Sequence, residues 1–587
     1  MTRRRVRRVV AAGVVLAACL GAAACGLPSS GPVEQGLRID GPAAPPIKLG
    51  FEAPRAGATP DQIVLGFLAA QWSAEDGYRA ARAYLTSEAS QMWRPRGVVV
   101  YPGSARPEAT VSDGGRTVTI TAQESGRLDA GGRFLASRVG TVRQVEITMA
   151  QVAGEWRIAG LPDGFGLWLS QFYFDRAYRQ YQVVYVSRQG DMLVPDWRRF
   201  AVGAGLSTSL ARALLDPVPE YLAPTVISGF PSGTELAVDA VPVAGGNAQI
   251  DLTARALSMD AASRRAAWAQ ALRTMRQVPE ATDVTLMVDG RPLDIGGFQG
   301  TPRTTAELGF KGATALSAVV LWRVGDRLQP VSSTSFPKVV DVPDLPRFPT
   351  LSQRWQHVAV SADLTDVAAV SSDNKRLARW VGGVTRPVSV EAASLTAPSF
   401  DQFGSLWVAG TAPDGSAGVW VMPAAGDLTG APGAVRLPTD WLRRRTVLSV
   451  SPSPEGFRVV VLSRDSDGLL HLDLAGVERN DGGLPTGLAE PWPVGKDIAS
   501  AQSVSWVDDR TLGVVGSRLV SGQPSPLLVP LGANAIEQPT VSGLVSMVSL
   551  GGERGLVGVT ENDEVVRRAG AGWQSVGSAS AVIVPAR

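Results

Sequence analysis

The C-terminal half of this chain repeats itself. HVAVSADLTDVAAVSSD from His357, APSFDQFGSLWVAGTAPD from Ala397 and LSVSPSPEGFRVVVLSRD from Leu448 share one pattern with SVSWVDDRTLGVVGS from Ser503 and SMVSLGGERGLVGVTEND from Ser546. Each copy reads strand, tight turn, apolar strand, polar turn. The copies recur about every 40 to 55 residues, the period of a four-stranded propeller blade. One such unit cannot bury both of its faces, so the blades must close into a ring. A further strand pair, Ala315–Arg323 and Arg327–Ser332, adds a blade ahead of the clear copies. The pattern predicts a β-propeller of about six blades over residues 301–587.

Upstream, helical and strand periodicities alternate, as in α+β domains. The first unit, residues 59–180, opens at Thr59-Pro60-Asp61-Gln62, an N-cap threonine with Pro at the first turn and Gln three residues on. Val64, Leu68 and Trp72 follow at helical spacing. A second helix is expected to carry Tyr84, Leu85, Ala89, Met92 and Trp93 on one face. Strands Val98–Tyr101, Thr117–Gln123 and Gln144–Gln151, with Glu155–Ile158, then suggest an antiparallel sheet. The second unit, residues 181–300, starts with a hairpin of Gln182–Ser187 and Asp191–Pro195. It continues with a helix over Ser207–Leu215, strands Glu235–Val243 and Ala248–Thr253, and a helix from about Ser258 to Met275. The alternation of Val284, Leu286 and Val288 marks a last half-buried strand. The expected fold is therefore multidomain, α+β followed by all-β.

The first 58 residues read differently. Arg3, Arg4, Arg5, Arg7 and Arg8 precede an apolar run, Val9 to Ala24, which ends in small residues before Cys25. This is the order of a secretory signal peptide, here residues 1–24. The run of about 16 residues is short of the ~20 that a stable membrane span needs. Small residues before a cysteine form a lipobox, where the thiol is acylated and the chain is cut before it. Leu16-Ala17-Ala18-Cys19 matches the usual motif better, but Cys19 is followed by more apolar sequence. Cys25 opens a polar stretch, and cleavage falls where the apolar segment ends. Cys25 is therefore the preferred lipidation site and Cys19 the alternative. Residues 25–58 contain Pro28, Pro32, Pro42, Pro45, Pro46 and Pro54 and read as a tether. At about 3.1 Å per residue it would reach up to ~100 Å from the bilayer. The expected location is the extracytoplasmic face of the cell membrane, held by a lipid.

Composition narrows the chemistry. The chain has no third cysteine, so after processing neither an intramolecular disulfide nor a cysteine metal site can form. Removal of the five leader arginines turns the formal net charge from +2 to −3, which gives no reason to expect a nucleic-acid partner. The two histidines, His357 and His471, lie in expected strands, and no Ser-His-Asp set or Gly-x-Ser-x-Gly elbow is visible. Gly203-Ala204-Gly205 is a fragment of a dinucleotide loop without its third glycine or a preceding strand. Ser399 to Trp407 resembles the Asp-box turn of sialidase-type propellers with one residue too many, and such a turn is structural. Sialidases also need a tyrosine nucleophile, and residues 301–587 contain no tyrosine. Arg443-Arg444-Arg445 reads as a solvated turn. Trp355, Trp380, Trp407, Trp420 and Trp506 are expected to pack blades. No catalytic residue, cofactor site or metal site is expected.

The order of these parts resembles the actinobacterial LpqB lipoprotein family along nearly the whole chain. The residues that carry the resemblance to its GerMN module are Leu214-Leu215-Asp216-Pro217, Pro231-Ser232-Gly233-Thr234-Glu235-Leu236, Ala248-Gln249-Ile250-Asp251-Leu252 and Val284 to Gly290. The resemblance implies a non-enzymatic accessory. Its partner would be the extracellular part of the sensor histidine kinase MtrB, paired with the response regulator MtrA, with effects on envelope integrity and division. Two other expectations stand beside it: a lipoprotein that binds cell-wall glycan or peptidoglycan through the GerMN module, and a glycoside hydrolase using propeller carboxylates.

Overall fold

The computed structural model describes residues 53–72, 77–295, 298, 300–312, 317–341, 348–424, 433–519 and 522–586. The signal segment, Cys19, Cys25 and the tether up to residue 52 lie outside the described residues. The chain is multidomain: two α+β parts precede a β-propeller.

The helix Pro60–Ala70 begins where its capping signal stands, with the Thr59 N–H donating to Gln62 Oε1 at 3.2 Å. It buries Ile63, Val64, Phe67 and Leu68. The expected second helix is instead two short ones, Arg79–Arg82 and Ser87–Met92. Thr86 divides them, because its N–H donates to Ile158 O (2.9 Å) while its hydroxyl caps Ala89 N–H (3.2 Å). Met92 consequently leaves the buried face and is 70% exposed, while Trp93 is buried. The expected single sheet is also two. One is an antiparallel meander of Glu108–Ser112, Thr117–Gln123, Val142–Val152 and Glu155–Gly160. The other orders Phe134–Ala136, Gly126–Leu128, Val98–Tyr101 and Leu167–Ser170, and its last pair is parallel. Chain-distant parallel pairing leaves no hairpin signal in sequence, and the expectation reached the meander strands other than the mostly exposed Glu108–Ser112.

Strand Tyr178–Ser187 runs through the 180/181 division expected from sequence and forms a hairpin with Leu193–Ala201. The helix Leu206–Leu215 follows. Of the strand expected over Glu235–Val243, only a bridge from Leu236 to Leu252 and the short strand Val243–Ala244 form. Between them the chain turns away, with Ala240 N–H donating to Val238 O at 2.7 Å. Asn247–Leu252 and Asp283–Val288 pair in parallel, connected through the helix Ala261–Met275. That helix starts three residues later than expected because Asp260 caps it, accepting from Ser263 N–H at 2.7 Å. Val284, Leu286 and Val288 are buried as their alternation requires.

The propeller has six sheets among the described residues. Blades 2 to 6 begin with Trp355–Val360, the pair Ser394–Leu395 and Ser399–Phe400, Arg445–Pro452, Ser500–Trp506 and Leu544–Ser549. Blade 1 is made from both ends of the domain. Its strands Val319–Val324 and Arg327–Ser332 are completed by the C-terminal strand Ala581–Ile583, which pairs antiparallel with Leu321–Arg323. This closes the ring without a disulfide. Each blade junction carries a side-chain bond to the neighbour's backbone or carboxylate. Arg323 reaches Ser352 O and Gln356 O, both at 3.3 Å, joining blades 1 and 2. Arg379, buried on Asp366, reaches Pro423 O at 2.9 Å, joining blades 2 and 3. Arg479 reaches Asp401 Oδ2 (2.6 Å) across blades 4 and 3, and Arg458 reaches Asp509 O (2.7 Å) across blades 4 and 5. Ser505 Oγ donates to Met547 O at 2.8 Å, and Arg567 to Phe336 O at 3.3 Å, completing the circuit. All five named tryptophans are buried, at 8% exposure or less.

Removing residues 580–587 should open blade 1 and expose Leu321 and Trp322, the residues that Ile583 and Val582 pair with. The expected readout is loss of a single cooperative thermal transition, with dye binding to exposed apolar surface. A truncated chain that melts as sharply as wild type would show that another element closes the ring.

Candidate functional site

Cys25 and Cys19 lie outside the described residues, so the site begins with the folded candidates. His357 lies on the blade 2 inner strand. His471 Nε2 sits 2.7 Å from Asp465 Oδ2 at the end of the adjoining strand. No group of three or more His, Cys, Asp or Glu among the described residues could hold a metal. A strand, Leu193–Ala201, does precede Gly203-Ala204-Gly205, contrary to expectation, and the helix Leu206–Leu215 follows. The strand belongs to an antiparallel hairpin rather than to a βαβ unit, so the loop is not placed as a nucleotide cradle.

Asp401 occupies the turn that resembled an Asp box. Its Oδ1 accepts from Phe403 N–H and Ser405 N–H, both at 2.9 Å, and its Oδ2 from Trp407 Nε1 at 2.9 Å. With Arg479 also on Oδ2, every direction of this carboxylate is taken. In the basic run, Arg443 is exposed and pairs with Asp440 (2.5 Å). Arg445 instead turns inward, onto Asp473 (2.5 Å) and over the Trp441 ring, and serves the fold.

A cavity of about 250 Å³ lies on the propeller axis. Every blade contributes to its wall: Ile583, Val358, Phe400, Ser451, Trp506 and Ser549. Val584 to Ala586, which follow the closing strand, also line it, and Ala586 N–H donates to Val360 O at 3.1 Å. Asp401 is the one carboxylate among the described lining residues, and it is fully engaged. Acid–base hydrolysis of a glycoside needs two carboxyl groups about 5 to 9.5 Å apart. Among the described lining residues that pair is not present.

The geometry that sequence reading missed lies where the three parts meet. Asp196, on the hairpin strand of the middle part, is 2% exposed. It accepts from Arg198 Nε at 2.7 Å and from the Tyr221 hydroxyl at 2.8 Å, and it faces Arg133 of the first part at 3.5 Å. Arg198, fully buried, also donates to the Tyr185 hydroxyl at 2.7 Å and to Gly131 O at 3.3 Å. Leu474, Trp492 and Leu531 of the propeller cover the same small cavity. Burial opposes ionisation of Asp196, but the charges of Arg198 and Arg133 and the bonds from Arg198 and Tyr221 outweigh it, holding this carboxyl below its ordinary value. Burial, above all, pushes the Tyr185 hydroxyl up to about 12. These residues come from four separated stretches of chain, with no spacing to betray them.

Around this cluster the middle part and blades 4 and 5 share one apolar core, in which Tyr185, Leu222 and Trp268 belong with Leu472, Leu474 and Leu527. Backbones meet directly at Gly476, whose N–H donates to Tyr221 O at 2.7 Å. A Cβ there would lie 2.4 Å from Thr225 Oγ1 and 2.7 Å from Tyr221 O. The first part is tied on through Asn534 to Gln171 (3.1 Å), and the hairpin through Arg199 Nε to Gly532 O (2.7 Å). The middle part and the propeller are thus joined by a shared apolar core, a buried charge cluster and a direct backbone contact.

Comparison with known proteins follows the same division. The family model for the N-terminal domain of lipoprotein LpqB matches residues 53–174, that for sporulation and spore germination matches 182–294, and that for the LpqB β-propeller domain matches 331–586. Lipoprotein LpqB of Cutibacterium acnes is 26% identical over 596 residues, covering 96% of both chains. Lipoprotein LpqB of Streptomyces coelicolor is 28% identical over 642 residues, covering 99% of this chain and 98% of that one. Among solved structures, TolB from Acinetobacter baumannii aligns at 14% identity and a TM-score of 0.32, over 58% of this chain and 86% of its own. The tandem GerMN domains of GerM from Bacillus subtilis align at 16% identity and a TM-score of 0.19, over 28% of this chain and 63% of that one.

Asp196→Asn should cost about 3–5 kcal/mol, because it takes from buried Arg198 its nearest counter-charge and leaves only half-exposed Asp216 at 3.8 Å. The stabilisation from ionised Asp196 is present above the ordinary carboxyl value of 3.8 and is lost as pH falls through its lowered pKa. Burial raises Asp473, Asp497 and Asp509, which pull stability the other way. The test is therefore the difference between wild type and variant by chemical denaturation, which should shrink below about pH 4. A pH-independent difference would mean that Asp196 acts by packing alone. Gly476→Ala should cost about 1–3 kcal/mol by overpacking the backbone contact. An unchanged melting temperature would show that the middle part and blade 4 are not pressed together.

Proposed function

The chain belongs to the LpqB lipoprotein family, and on that premise we propose that it works by contact, as a lipid-anchored, non-enzymatic accessory of an envelope sensor kinase. The partner in this reading is the extracellular part of an MtrB-like histidine kinase, and the outcome is tuned signalling that supports envelope homeostasis and division. Cys25 carries the lipid, with Cys19 as the alternative, and the protein stands on the extracytoplasmic face of the cell membrane.

The observation that carries this reading is the coupling of the middle part to the propeller. A shared apolar core and a buried charge cluster join them. A protein that modulates a partner by touching it benefits from a surface whose parts keep their relative positions, since little ordering entropy is then lost on binding. No helix among the described residues is long and apolar enough to cross a membrane, so the reading places attachment in the N-terminal leader and tether. Tethering raises the effective concentration of a membrane-bound partner without adding contacts.

The test pairs binding with signalling. Wild type and Cys25→Ala should both co-purify with the purified kinase ectodomain, whereas in cells Cys25→Ala should lose lipid labelling, leave the membrane fraction and shift expression of the kinase's targets. Labelling that persists in Cys25→Ala and disappears in Cys19→Ala would move the anchor to Cys19. Absence of association in both forms, with signalling unchanged on deletion, would end the kinase reading. Retention of residues 181–300 on purified wall material would then favour the peptidoglycan-binding alternative.

A further inference from the structure

A second cavity, of about 450 Å³, opens between the first part and the propeller. Arg127, Arg138 and Arg143 line it from the first part, and Lys496 from the blade 4 to blade 5 turn. Glu124 is their sole carboxylate among the described lining residues. Four cations thus face one anion. Glu124 is only 4% exposed and acts as a clamp: one oxygen holds Arg127 Nε at 3.2 Å, and the other holds Arg143 Nε. Ser137 Oγ donates to the same carboxylate at 2.6 Å. Because Glu124 takes the Nε groups, the terminal amines of both guanidinium forks are left for another acceptor.

The other two cations are held by their backbones. Thr141 secures the turn that carries Arg138, donating to Arg138 O through its N–H (3.0 Å) and its hydroxyl (2.7 Å). Ile498 N–H donates to Gly495 O at 3.0 Å across the turn that presents Lys496, and buried Asp497 anchors it by accepting from Ala535 N–H at 2.9 Å. Lys496 has neither a hydrogen bond nor an ion pair among the described residues. Burial first, then the charges of Arg138 and Arg127, lower its pKa, against the opposing charge of Asp473. Like charges lining one cleft cost stability unless something anionic relieves them.

We propose that this cleft is a binding site for a phosphate-bearing ligand. A phosphomonoester carries about −1.5 to −2 at pH 7, closer to the surplus of the cleft than a single carboxylate is. Its oxygens also match the paired N–H groups of arginine, and a lysine adds a point charge. The phosphate could come from a free anion or from a lipid headgroup, and both would meet the same four cations. The site does not depend on the kinase reading and would stand if that reading failed.

The test uses the processed chain from residue 26, so that neither an acyl group nor the basic, apolar leader carries the protein onto membranes. Calorimetric titration with pyrophosphate should give one site, bound more tightly than acetate. Lys496→Gln with Arg138→Gln should weaken it by about tenfold or more. Arg444→Gln, an exposed cation elsewhere, should leave it unchanged. Pelleting with vesicles that contain phosphatidic acid, whose headgroup is a phosphomonoester, supplies the lipid arm. Saturable pyrophosphate binding lost in the cleft variant supports the site with a free anion as source. Vesicle capture lost in the same variant supports it with a headgroup as source. Binding that survives the cleft substitutions, or no binding of either probe, overturns the proposal.

Discussion

The pairing of Ala581–Ile583 with Leu321–Arg323 is the constraint on which the described structure depends. A blade is apolar on both faces, so each of the six needs two neighbours, and only a closed ring supplies them. Three residues at the far end of the chain provide that closure, and the tail beyond them lies along the axis. The cross-blade arginines then do work for which an exported protein often uses disulfides. Each guanidinium satisfies a carboxylate or carbonyl at a seam, so the seams are polar, buried and paired.

Ring closure also explains how the upstream parts are held. Blades 4 and 5 can share an apolar core with the middle part only because their own positions are fixed by the ring. Asp196 then adds specificity to that contact. Apolar surfaces alone slide with little penalty, whereas displacing Asp196 would leave the Tyr221 hydroxyl without its acceptor and Arg198 without its nearest counter-charge in a buried place. The cleft lined by Lys496 is a consequence of the same arrangement, since cations from the first part and from the propeller are brought together only when both are seated.

Much of this was legible in the residues, and the missing part has a common cause. The period of the repeats revealed the blades, and alternation located Thr117–Gln123 and Asp283–Val288 because each buries one face. Thr59 and Gln62 marked a helix start because capping is a local interaction. What escaped was non-local. Ala581–Ile583 is too short to show a strand pattern, and the parallel pair Val98–Tyr101 with Leu167–Ser170 joins segments far apart in sequence. Arg133, Asp196, Arg198 and Tyr221 look like ordinary surface residues until the fold encloses them. The same holds for Glu124, Arg127 and Lys496. The lipobox expected at Cys25 or Cys19 rests on local order alone, and both cysteines lie outside the described residues.

The central claim is that the membrane-anchored body acts as one unit, and the amide of Gly476 reports on it most directly. That N–H is bonded to Tyr221 O across the boundary between blade 4 and the middle part. In native-state hydrogen exchange, a single unit keeps this amide protected until global unfolding, with the same opening free energy as the core strand Arg458–Asp465. Exchange of Gly476 at a clearly lower free energy, while that strand stays protected, would show that the middle part separates on its own and would contradict the claim.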